Sequence, residues 1–116
     1  MERKPLDLSV LQDVFGSDAA SITTFLTDLL PAVGTVEAKI KDALALQDWS
    51  GARRAVHEMK GMCASSGCSE VADLCVHAEA ALDSGEHRSM AEFSESLRLA
   101  CGRLRTALGA APAAAA

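Results

Sequence analysis

The sequence predicts an all-α protein, an antiparallel four-helix bundle with a short additional N-terminal helix. Three observations point there. Apolar residues recur at three- and four-residue steps along most of the chain. The core vocabulary is Ala and Leu, with no tyrosine, one tryptophan and three phenylalanines, a set that favours helix over sheet. The breaks between periodic stretches are short and built from Gly, Ser and Asp. At 116 residues the chain has room for one core and too little for two.

Leu8, Leu11, Val14 and Phe15 make a short first amphipathic segment, broken by Gly16-Ser17-Asp18, where Ser17 or Asp18 caps the next helix. The second helix is expected from about Ala19 to Leu46, with Ile22, Phe25, Leu26, Leu29, Val33, Val36, Ile40 and Leu44 recurring at three- and four-residue steps. Pro31 lies inside it and should kink the helix or start a new one, and Gly34 loosens the same turn. Asp48 is a suitable N-cap for a third helix from Trp49 to about Ala64, whose apolar face is Ala52, Ala55, Val56, Met59, Met62 and Cys63. Ser65-Ser66-Gly67 ends it. A fourth helix follows from near Ser69, buried along Val71, Leu74, Cys75, Ala78 and Leu82, with Gly85 as its stop. The last, from about Arg88 to Leu108, repeats apolar residues close to every 3.5 positions, as bundle packing requires. Residues 6–109 form the domain, and 110–116 read as an alanine-rich flexible tail.

The formal net charge of −5 argues against a nucleic-acid binder, since a phosphate backbone needs a basic surface. No apolar run is expected to span a bilayer, and the N-terminus leads into no signal-peptide core, so a cytoplasmic protein is expected. Cys63, Cys68, Cys75 and Cys101 lack the paired spacing of a zinc site; buried, reduced thiols are expected and no metal.

The third helix carries the chemistry. At roughly 100° per residue, Arg53, Arg54, His57, Lys60, Gly61 and Ala64 share one stripe opposite the apolar face. His57 thus points away from the core beside cations and a residue without a side chain. An imidazole titrates near neutrality, and neighbouring cations favour its neutral, nucleophilic form. A ring nitrogen can attack phosphorus to give a phosphoramidate, and a lysine one turn away supplies charge to the product. His77 is read as structural or solvated, His87 as solvated, and Glu79 chiefly as balancing helix charge.

The segment from Ala55 to Gly67, with Lys60-Gly61 three and four residues after His57 and Gly67 ten after it, resembles the signature of histidine phosphotransfer (HPt) domains. Ala78-Glu79 is similar to the pair on that family's following helix. The resemblance implies that His57 is phosphorylated, that Lys60 stabilises the phosphoryl group, and that Gly61 and Gly67 give steric clearance and close packing. It implies a phosphocarrier of multistep phosphorelays, with no ATP site and no cofactor of its own. The required Mg²⁺ would sit in the partner receiver domain. Partners would be response-regulator receiver domains and a sensor or hybrid histidine kinase, met through Arg53, Arg54, Glu58 and Ala64, with the domain itself monomeric. Met62-Cys63 and Ser66 depart from the small or apolar residues usual there. Two alternatives stay open: a phosphorylatable domain cut from a larger chemotaxis-type kinase, and a helical module that docks without chemistry.

Overall fold

The computed structural model describes residues 4–115, with side chains through 109. Five helices follow one another: α1 (Leu8–Phe15), α2 (Ala19–Ala45), α3 (Trp49–Ser65), α4 (Ser69–Asp83) and α5 (Met90–Ala115). No strand occurs among the described residues. α3 packs between α2 and α4, α5 closes the bundle against α2 and α4, and α1 lies on α2. The core runs along the axis through Leu26, Val33, Ile40, Val56, Met59 and Leu97, each at most 2% exposed.

Local chemistry explains the boundaries. The carboxylate of Asp18 accepts from the N–H of Ser21, and that of Asp48 from the N–H of Gly51 at 3.0 Å, so each ties down an orphan donor in the first turn of its helix. α4 ends as expected: Gly85 has φ +75°, its N–H reaches the Leu82 carbonyl, and the Glu86 N–H reaches the Ala81 carbonyl. The same arrangement closes α2, where Gln47 takes the left-handed conformation that glycine usually supplies.

Several expectations are corrected. α2 neither stops nor restarts at Pro31; one helix runs through it, held by its buried stripe on either side. By length and composition α2 would also suffice to span a bilayer, at a mean hydropathy of 1.3, although no run had been expected to. Its buried residues lie along one stripe, and the outer face mixes threonines with Asp28, Leu30 and Pro31, which is how a stretch of low charge arises without a continuous apolar run. Val14, expected on the inner face of α1, is 67% exposed, because a two-turn helix buries only Leu11 fully. His87, read as solvated, is half-buried and stacks on Trp49 with ring centroids 4.1 Å apart. α5 continues to Ala115, across the segment read as a tail; the side chains of 110–116, and Ala116 altogether, lie outside the described residues.

Gly67 holds the chain's N-terminal segment in place. It has φ +81°, and its carbonyl accepts the Asp7 N–H at 2.8 Å. A Cβ there would stand 2.4 Å from the Asp7 carbonyl oxygen. Gly67→Ala should therefore cost about 1–3 kcal/mol through strain and loss of this contact, read as a lower urea midpoint. An unchanged midpoint would remove the tight approach from the account.

Candidate functional site

Burial sets the direction of every side chain on α3. Val56 and Met59 are fully buried, so the intervening His57 and Glu58 must point out. The His57 side chain is 62% exposed. The structure brings Lys60 beside it and adds a residue from the next helix. Glu79 of α4, with only 14% of its side chain exposed, places Oε2 2.6 Å from His57 Nδ1 and Oε1 2.6 Å from Lys60 Nζ. A carboxylate only accepts, so the neutral imidazole carries its proton on Nδ1 and donates it to Glu79. The lone pair is then on Nε2, the atom on the outer side of the ring.

Glu79 is thus the site residue that sequence reasoning passed over. It was read as balancing helix charge; it joins His57 and Lys60, the two side chains of α3 expected to carry the chemistry. A signal existed. Glu79 stands four residues after the buried Cys75, at the edge of the α4 stripe, and a carboxylate at such a rim faces the neighbouring helix. Its presence also corrects the picture of a histidine flanked by cations alone, since the group bonded to the ring is an anion.

The two arginines part company. Arg53 turns towards α4, its Nε 2.5 Å from Asp83. Arg54 turns towards α2 and donates to Ser50 Oγ at 3.2 Å. Glu58 pairs with Lys39 of α2 at 3.4 Å, and both line a groove of about 500 Å³ with Arg54, Asp42, Gly51 and the exposed Leu46. Gly61 and Ala64 continue the outward strip, and a Cβ added at Gly61 would meet nothing within 4 Å. Gly67 lies at the far end of α3, roughly 15 Å along the axis from His57 at 1.5 Å per residue, so it packs against Asp7 and does not border the ring. Among the described residues no group of three His, Cys, Asp or Glu side chains could hold a metal ion.

A family model described as Hpt domain matches residues 23–111, a span that takes in α3, α4 and most of α2 and α5. No curated protein matches, and neither does any solved structure.

The Lys60 ammonium first, and the His57 ring second, hold the Glu79 carboxyl below its ordinary value of 4.5. A carboxyl depressed in the folded state contributes stability that is complete above its unfolded value and is lost as pH falls through the folded one. Glu79→Gln should therefore destabilise the fold most at neutral pH, with the gap to wild type closing in acid below 4.5. Urea unfolding across that range measures it, and a gap independent of pH would show that the charge of Glu79 is not what matters.

Proposed function

The chain belongs to the Hpt domain family and is a histidine phosphotransfer module of phosphorelay signalling, and we propose that His57 is the residue that carries the phosphoryl group. The observation that carries this reading is the 2.6 Å contact between His57 Nδ1 and Glu79 Oε2: the Nδ1–H donates to the carboxylate, and the lone pair on Nε2 is left as the nucleophile. In the proposed reaction Nε2 attacks the phosphorus of a receiver's aspartyl phosphate in line. The N–P bond forms as the P–O bond to the aspartate breaks, and the receiver carboxylate leaves. The ring becomes cationic, and Glu79 at 2.6 Å offsets that charge. Lys60 can turn its ammonium from Glu79 to the phosphoryl oxygens. Transfer to a second receiver runs the same step backwards.

In this reading the domain is a carrier with no nucleotide site and no cofactor of its own; Mg²⁺ belongs to the receiver, and the module works as a monomer in the cytoplasm. Receivers and a histidine kinase are the partners that family membership implies. The proposed docking face is the outward strip of α3 with its flanks, Arg53 towards α4, Arg54 and Glu58 towards α2. Leu46, 80% exposed at the α2–α3 turn, offers the apolar contact on the same side. A module that only docks would need neither the oriented imidazole nor Lys60.

His57→Gln should fold normally and accept no label from a phosphorylated receiver; labelling that persists would sink the assignment. Lys60→Ala should slow transfer about ten- to a hundredfold, the worth of one charge-assisted hydrogen bond. Gly61→Ala should separate stability from function. It should raise fold stability by roughly 0.5–1 kcal/mol, as replacing a helical glycine does, while slowing transfer through the methyl beside the approach to His57. Unfolding and transfer assays on one preparation would show both, and unimpaired transfer would mean that clearance at Gly61 is unimportant.

A further inference from the structure

The turn between α3 and α4 is framed by two thiols. The N–H of Cys68 donates to the Cys63 carbonyl at 2.9 Å, closing the end of α3 around Gly67 in its left-handed conformation. Helix ends closed in this way bring those two side chains into contact, a place usually taken by a pair of apolar residues. Here both are cysteines, and both are fully buried.

The two sulfurs are not equivalent. Cys68 is the N-cap residue of α4, so its sulfur sits at the positive end of that helix, and Ser66 Oγ lies 3.8 Å away. The Cys63 thiol, and after it the Ser66 hydroxyl, hold the Cys68 thiol below its ordinary range against the opposing effect of burial, while Cys63 is raised. Cys75 and Cys101 lie inside α4 and α5, and burial pushes each up to about 12. Of the four buried cysteines, Cys63 and Cys68 thus meet at a helix end, whereas Cys75 and Cys101 lie within helices. A short N-terminal strap is bonded to the turn that holds the pair. Asp7 donates to the Gly67 carbonyl, and the Lys4 carbonyl accepts the Glu70 N–H at 3.1 Å. Two backbone bonds ahead of a two-turn helix are a local restraint that opens without global unfolding.

We propose that Cys63 and Cys68 form a dithiol that hydroperoxides oxidise to a disulfide across the end of α3, reached when the N-terminal strap lifts. The Cys68 thiolate attacks one peroxide oxygen: an S–O bond forms, the O–O bond breaks, sulfur loses two electrons and the second oxygen leaves as hydroxide, or as alkoxide from an organic peroxide. The Cys63 sulfur then attacks the sulfenic acid. The S–S bond forms, the S–O bond breaks, and the departing hydroxide takes the Cys63 proton to leave as water. Only these two residues and the peroxide are consumed, so the site works independently of the phosphoryl chemistry at His57.

The test uses the full reduced chain and hydrogen peroxide, followed by denaturation in an alkylating agent and cleavage after glutamate. Cuts at Glu58 and Glu70 release fragment 59–70, which contains Cys63 and Cys68 and neither of the other cysteines. The expected result is a fragment lighter by two hydrogens and closed to alkylation, while Cys75 and Cys101 still alkylate. Cys63→Ser should stop at a sulfenic acid on Cys68 that dimedone traps, and Cys68→Ser should slow oxidation of Cys63 by roughly tenfold or more. The wild-type map stands even if a variant folds poorly. The proposal is overturned if fragment 59–70 remains a dithiol, or if Cys75 or Cys101 oxidises as fast.

Discussion

α3 has two neighbours to satisfy at once, and the rest of the molecule follows from how its 17 residues divide between them. Ala52, Val56, Met59 and Cys63 go to the core shared with α2 and α4, and what remains must face solvent. Burying a residue such as Val56 or Met59 contributes about 1.5–3 kcal/mol each. A hydrogen bond such as that from His57 to Glu79 contributes about 0.5–1.5, or up to 3 where charge assists. Packing therefore decides which way α3 is turned, and the polar contacts act on side chains whose direction is already settled. Rotating the helix to hide His57 would expose several buried groups for the gain of one.

On that outward strip a single carboxylate sets the electrostatics. Glu79 comes from α4 and reaches both His57 and Lys60, so the relative placement of two helices becomes the orientation of one ring. A chain with a net charge of −5 has no global attraction for a phosphoryl anion. The proposed reaction needs none, because Lys60 supplies charge at the reacting group and the receiver brings the metal. Arg53 is drawn to the α4 flank by Asp83, whereas Arg54, next to it in sequence, bonds back to Ser50 on its own helix and lines the groove on the α2 side.

The other end of α3 is organised by backbone more than by side chains. Gly67 takes a conformation a larger residue would resist and brings its carbonyl to Asp7, so the strap before α1 is stitched to the α3–α4 turn. Cys63, Ser66 and Cys68, around the same turn, are fully buried. The glycine ten residues after His57 thus belongs to the architecture of the turn and of the N-terminus, at a distance from the imidazole.

Much of this was legible in the residues themselves. Helical periodicity located the helices to within a few positions, apart from the C-terminal end of α5, because an apolar stripe must recur every 3.6 residues to be buried. Asp18 and Asp48 announced their caps, because an N-cap bond spans only three residues. The same periodicity put His57 and Lys60 on the outer face. What depended on contacts between distant residues was decided only by the tertiary structure. Pro31 is tolerated because the buried residues around it hold α2 together, and His87 is half-buried because Trp49, on another helix, offers it a face. Glu79 became part of the site through the register of α4 against α3, a quantity no spacing along the chain contains. His57 could be chosen from sequence as the outward imidazole; which of its nitrogens is free to react depended on a carboxylate 22 residues away.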